Sequence, residues 1–108
     1  MVNMALLLVL RAEALHLAER TPEALEAIRE AEEVVERSEE RWWCAELHRL
    51  RGVFLAAMGA DKAQIEAAFS EAIQTAQQQK SISLLKRAEA SYAEYRGHQG
   101  NRPENPGG

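Results

Sequence analysis

Three small residues, Ala12, Gly52 and Ala93, recur along the chain at intervals of 40 and 41 positions, and their surroundings recur with them. Ala24 and Ile65, Ile28 and Phe69, and Ala31 and Ala72 are each 41 positions apart, and Glu19, Gly59 and Gly100 punctuate the sequence at the same interval. A period of this length means one supersecondary unit repeated. A lone helix-turn-helix cannot bury its apolar face, so such units stack on one another. Small residues at mid-helix let the two helices of a unit approach closely. The expected architecture is an open array of about two and a half units, not a closed four-helix bundle.

Within each unit the apolar residues follow helical spacing. Ala24, Ile28, Ala31 and Val35 form one stripe, and Trp43, Leu47, Leu50, Phe54 and Met58 a second. Ile65, Phe69, Ala72, Ile73 and Ala76 form a third, and Ile82, Leu85, Ala88, Tyr92 and Tyr95 a fourth. Together with the apolar N-terminal run these give five helices, near 3–19, 22–37, 40–58, 62–79 and 82–96. Connections of two to four residues make successive helices antiparallel. Composition agrees: of 108 residues 46% are hydrophobic and only 6% aromatic, with Ala, Glu, Leu and Arg the commonest types. That is a mixture of strong helix formers, so the fold class is all-α in a single domain. Collagen, a disulfide scaffold and bulk disorder are excluded.

Punctuation fixes the boundaries. Thr21-Pro22-Glu23 reads as N-cap, first helical position and an acid against the positive helix end. Gly59-Ala60-Asp61 reads as a stop and a start, with Gln64 completing a capping box. Ser38 and Ser81 are further N-cap candidates. After Gly97 the sequence GHQGNRPENPGG has no periodicity, which divides the chain into a helical-repeat domain, 1–97, and a disordered tail, 98–108.

Charge and targeting narrow the class of partner. The net charge is −4. Residues 19–40 hold nine Glu against three Arg, and residues 80–102 five Lys or Arg against two Glu. Phosphate neutralisation needs a basic face, so nucleic acid is not the expected partner. The seven-residue run Met4–Leu10 is apolar throughout, but Arg11 and Glu13 interrupt it far short of the ~20 residues a membrane span requires. No basic residue precedes it, as one would in a signal peptide. With one cysteine and hence no internal disulfide, the expected setting is the cytoplasm.

The candidate chemical groups have ordinary explanations. Cys44 and His48 share a helix face with Glu40 one turn earlier, yet this falls short of a tetrahedral metal set, and no third group orients a Cys–His pair for catalysis. Trp42 and Trp43 point about 100° apart, so one faces the core and the other a groove or the surface. His16 and His98 read as solvated histidines. The Glu30–Glu40 stretch reads as a solvated face, with a docking surface for a basic partner as its alternative. No catalytic residue, cofactor or metal is expected.

The pattern of a small residue in the first helix, Gly at the turn, then Ile65, Phe69 and Ala72 in the second resembles the tetratricopeptide repeat; Ala12, Ala24, Ile28 and Ala31 match it in the first unit. The string from Arg41 to Gly52, RWWCAELHRLRG, is similar to a segment of the C-terminal repeat region of bacterial multidomain regulators. Those proteins join a signalling ATPase to a cyclase or DNA-binding domain. Ile65, Glu39 and Arg51 depart from the repeat pattern, and Pro103 and Pro106 occupy the place of a sixth helix. Neither a Walker loop nor a cyclase segment is present, so only the scaffold is implied. The resemblance implies a short right-handed superhelix whose concave face, lined by Leu6, Val9, Glu13, Glu46, Arg49, Val53, Arg87, Ala90 and Glu94, docks a protein segment. It lacks the Lys/Asn set that clamps a C-terminal carboxylate in chaperone-binding relatives. The alternative expectation is a homodimer through the first helix, where Leu6 to Leu10 are apolar nearly all round.

Overall fold

The structure, a computed structural model, describes residues 4–37 and 43–100. It contains five α-helices: α1 (Met4–Leu17), α2 (Thr21–Arg37), α3 (Trp43–Ala57), α4 (Lys62–Gln78) and α5 (Ile82–Gly100). No strand occurs among the described residues. The most extensive packing lies within the pairs α1/α2 and α3/α4; α5 packs on α4 and α3, α2 on α3, and α1 only brushes α3. This is a stack of two helical hairpins closed by a fifth helix. The all-α repeat architecture read from the sequence is the observed one.

The turns explain how each hairpin closes. At the end of α1 the amide of Arg20 donates to the Leu15 carbonyl (2.8 Å) and that of Glu19 to His16 (3.0 Å). The same pair of bonds recurs after α3, from Ala60 to Leu55 and from Gly59 to Ala56, and after α4, from Ser81 to Ala76 and from Lys80 to Gln77. All three are Schellman ends, which satisfy the last helical carbonyls by turning one residue into the left-handed region. Those residues are Glu19 (φ 63°), Gly59 (φ 71°) and Lys80 (φ 56°). Only the second has the residue type that adopts this conformation without cost.

The helix starts differ from expectation. Thr21 is already helical, and the first bonds of α2 run from the amides of Glu23 and Ala24 to the Arg20 carbonyl. The Thr21 hydroxyl is instead bonded to His16 Nδ1 at 3.1 Å, across the turn. Asp61 does stand at the N-cap of α4, but its side chain makes no capping bond, so the box with Gln64 is not formed. Ser81 does cap: its hydroxyl accepts from the amide of Leu84 at 3.3 Å. Ser38, Glu39, Glu40 and Trp42 lie outside the described residues, as does the tail from residue 101. At the other end α5 continues to Gly100, beyond the boundary read at residue 97.

Two apolar clusters hold the stack. The first joins Ala5, Leu8, Val9 and Ala12 of α1 to Ala24, Ile28, Ala31 and Val35 of α2 and to Trp43, Leu47, Leu50 and Phe54 of α3. The second joins Ile65 and Phe69 of α4 to Tyr95 of α5, with Val53, Ala56 and Tyr92 against it. Phe54, Phe69, Ile28, Leu47 and Val35 are fully buried, each stabilising the fold by about 1.5–3 kcal/mol relative to exposure. Gly52 performs the expected close approach: a Cβ there would lie 2.8 Å from the Phe69 ring. Ala12 is likewise fully buried, whereas Ala93 is exposed because no described helix covers that side of α5. Two stripe residues also turn out exposed. Met58 falls in the turn after α3, and Ile82, the first residue of α5, is 71% exposed, leaving Ala88 and Tyr95 to anchor that helix.

Candidate functional site

A groove of about 490 Å³ runs between α1 and α5, floored by α3. Val53, Ala56, Ala57 and the edge of Phe69 make its apolar bed, and His16, Arg49, Ser91, Glu94 and Tyr95 its walls. Its volume and mixed lining are those of a binding cleft. The groove opens on the face that the repeat resemblance assigned to partner docking, and Arg49, Val53 and Glu94 from that set line it.

One wall is held by a carboxylate bracket. Glu46 accepts two bonds from Arg49, at 3.1 and 2.6 Å, and two from Arg87, at 3.2 and 2.7 Å. Arg49 and Glu46 are neighbours on α3, while Arg87 reaches in from α5 exactly one repeat later. Arg49 also donates from Nη1 to the Ser91 hydroxyl of α5 at 3.1 Å. Burial works to raise the Glu46 carboxyl, but the hydrogen bonds and charges of the two guanidiniums outweigh it and hold it below the usual carboxylate range. The same bonds raise Arg87, with the charge of Glu13 contributing. The Glu46 and Arg49 side chains are only 12% and 13% exposed, so this pair is fixed in geometry rather than fluttering at the surface.

The rest of the expected lining divides. Glu13, Ala90 and Arg87 are exposed and do not line the groove. Leu6 is 41% exposed but does not line it. Val9 is 5% exposed and belongs to the first core cluster, so it is not a lining residue. Two residues were not foreseen. His16, expected to be solvated, is half-buried, packs on Phe54 at 4.8 Å and turns its ring toward the groove. Tyr95, expected as plain core, stands at the groove's edge beside the Phe69 ring, 6.0 Å between centroids.

A second, smaller cleft of about 380 Å³ lies between α2 and α4 and contains Arg29, His48, Arg51 and Glu71. His48 Nε2 lies 3.4 Å from Glu71. Burial nevertheless lowers the His48 pKa, outweighing Glu71, and Arg51 acts in the same direction. Arg51, a departure from the repeat pattern, has a reason: it pairs with Glu32 of α2 and ties the hairpins together. Burial still raises the Glu32 carboxyl despite Arg51. Cys44 is half-buried against the first core cluster. Trp43 faces the core. Among the described residues no three His, Cys, Asp or Glu side chains are placed to hold a metal ion, and no helix is long and apolar enough to cross a membrane.

No protein-family model, curated protein or solved structure matches this chain.

Proposed function

We propose that this chain is a non-catalytic protein-interaction module of tetratricopeptide-repeat type that docks a segment of another protein in the groove between α1 and α5. The observation that carries the proposal is the Glu46 bracket beside an apolar bed: a preorganised wall of hydrogen-bonding groups next to a surface that gains by being covered. A docked segment would place apolar side chains over Val53, Ala56 and Ala57, with its polar groups meeting Arg49, Ser91 and Glu94. The likeness of residues 41–52 to bacterial multidomain regulators supports the setting of a signalling regulator, in which the repeats hold a partner and other domains act.

The test uses the intact chain as bait, followed by binding measurements with each captured protein as a purified component. Ala57→Trp fills the groove at an exposed position without entering either core cluster. It should lower affinity at least tenfold while helicity and melting temperature stay unchanged. Glu46→Ala with Arg49→Ala should also lower affinity by dissolving the wall, with helicity retained and the melting temperature lowered by loss of the Glu46 bonds. Partners bound equally well by both variants would place the docking surface elsewhere.

A further inference from the structure

The stacking of the hairpins follows a fixed register. Leu47, Leu50 and Phe54 of α3 pack against the α1/α2 hairpin. One period later Ala88, Ser91 and Tyr95 of α5 take the corresponding places, all buried or half-buried. One period earlier the same register falls on Leu7, Leu10 and Ala14 of α1. There it is open: Leu7 is 49% exposed, Leu10 53%, and Leu17, one turn beyond Ala14, 83%. The outer side of α1 is therefore the stacking face of this fold without its stack. The core of α1 is made by its other side, through Ala5, Leu8, Val9 and Ala12.

We infer that this face pairs with the same face of a second copy of the chain, α1 against α1′ across a two-fold axis. Two observations bear on this occupant, the spacing of the face and its area. Leu7, Leu10, Ala14 and Leu17 follow a three-four-three interval, the seam of a helix pair. With the two-fold axis perpendicular to the helices, α1′ runs antiparallel to α1, as α2 runs antiparallel to the helix it precedes, α3. In that alignment Leu7 meets Leu17′ and Leu10 meets Ala14′, so each of the four layers holds at least one leucine and the small residue sits opposite a large one. With Leu6 and Met4, 41% and 54% exposed, the apolar area is on the order of 500 Å² per copy, in the upper part of the range for the largest patch on a monomer, where such patches often serve binding. Two copies bury about 1,000 Å², just under the usual range of specific interfaces, which makes the dimer a dissociable one. The pairing leaves the α1/α5 groove free and does not depend on what that groove binds.

Sedimentation of the full chain decides the matter. At about 100 μM the mass should approach twice the 12.1 kDa of one chain, and by about 1 μM it should return to one chain. Leu10→Glu and Leu17→Glu should each raise the dimer dissociation constant at least tenfold with the melting temperature of the monomer unchanged. Ile82→Glu, at an exposed apolar residue on α5, should leave the dimer intact. In a Cys44→Ala background, Leu10→Cys with Ala14→Cys should cross-link two copies on mild oxidation. A monomer at about 100 μM overturns the inference and leaves the face to a different protein or to a further hairpin. A dimer that survives both glutamates, or is dispersed by Ile82→Glu, also overturns it.

Discussion

Gly52→Ala measures the close approach on which the second hairpin depends. A Cβ at this position would lie 2.8 Å from Cε1 of Phe69 and 2.9 Å from its Cδ1 and Cζ, where carbon atoms prefer at least 3.5 Å. The ring has little room to retreat. Phe69 is 1% exposed, Tyr92 stacks on it with centroids 5.4 Å apart, and Tyr95 stands 6.0 Å away. Overpacking of this kind costs about 1–3 kcal/mol. Ala is favoured over Gly in a helix by about 1 kcal/mol, so the net loss should be up to about 2 kcal/mol. Gly97→Ala supplies the control, since a Cβ there meets nothing within 4 Å on a helix of the same fold. It should be neutral or stabilising, which cancels most of the propensity contribution in the comparison. Urea unfolding followed by far-ultraviolet circular dichroism gives both values, and each kcal/mol corresponds to about 4–8 °C in melting temperature for a domain of this size. If Gly52→Ala is as stable as Gly97→Ala, the tight α3/α4 packing is not what the glycine is for.

The left-handed helix ends invite Glu19→Gly and Lys80→Gly, each expected to stabilise by about 0.5–1 kcal/mol, whereas Gly59→Ala should destabilise by about 1 kcal/mol; thermal melts check all three. Ser81→Ala should cost about 0.5–2 kcal/mol by freeing the amide of Leu84. His48 protonates less readily in the folded chain than its ordinary 6.5 allows, so stability should rise with pH up to about that value and level off above it. His48→Gln should flatten that rise in a pH series of urea midpoints. Glu46 has the opposite sense for an acid: its stabilisation is present above its ordinary carboxylate range and disappears as pH falls through the depressed folded value. Glu46→Ala should therefore be costly at neutral pH, because it strands Arg49 at 13% exposure, and Arg87→Ala should cost under about 1 kcal/mol at 56%.

How far the sequence reveals this molecule depends on how far apart the interacting groups lie. Helix existence and hairpin closure are local, carried by apolar spacing and by residues such as Gly59, and they are legible. The length of the period is also legible, and it puts Glu46 and Arg87 at equivalent positions of successive units, but their pairing depends on how closely the units stack and comes from the structure. The rotation of each helix about its own axis is not local. It is set by which neighbours cover the helix, and that is why Ile82 reads as core by spacing yet is exposed, and why Val9, expected in the groove, is buried between α1 and α2. The repeat register would have corrected the first error, since it carries Phe54 to Tyr95 and passes over Ile82. His16 had a signal as well. It stands one turn beyond Ala12, on the inner side of α1, where a solvated histidine has no place. What no local rule supplies is the state of the outer side of α1. Its leucines satisfy helix formation whether or not they are covered, and only the same register, covered in α3 and α5 and open in α1, turns them from a buried helix into an exposed stacking face.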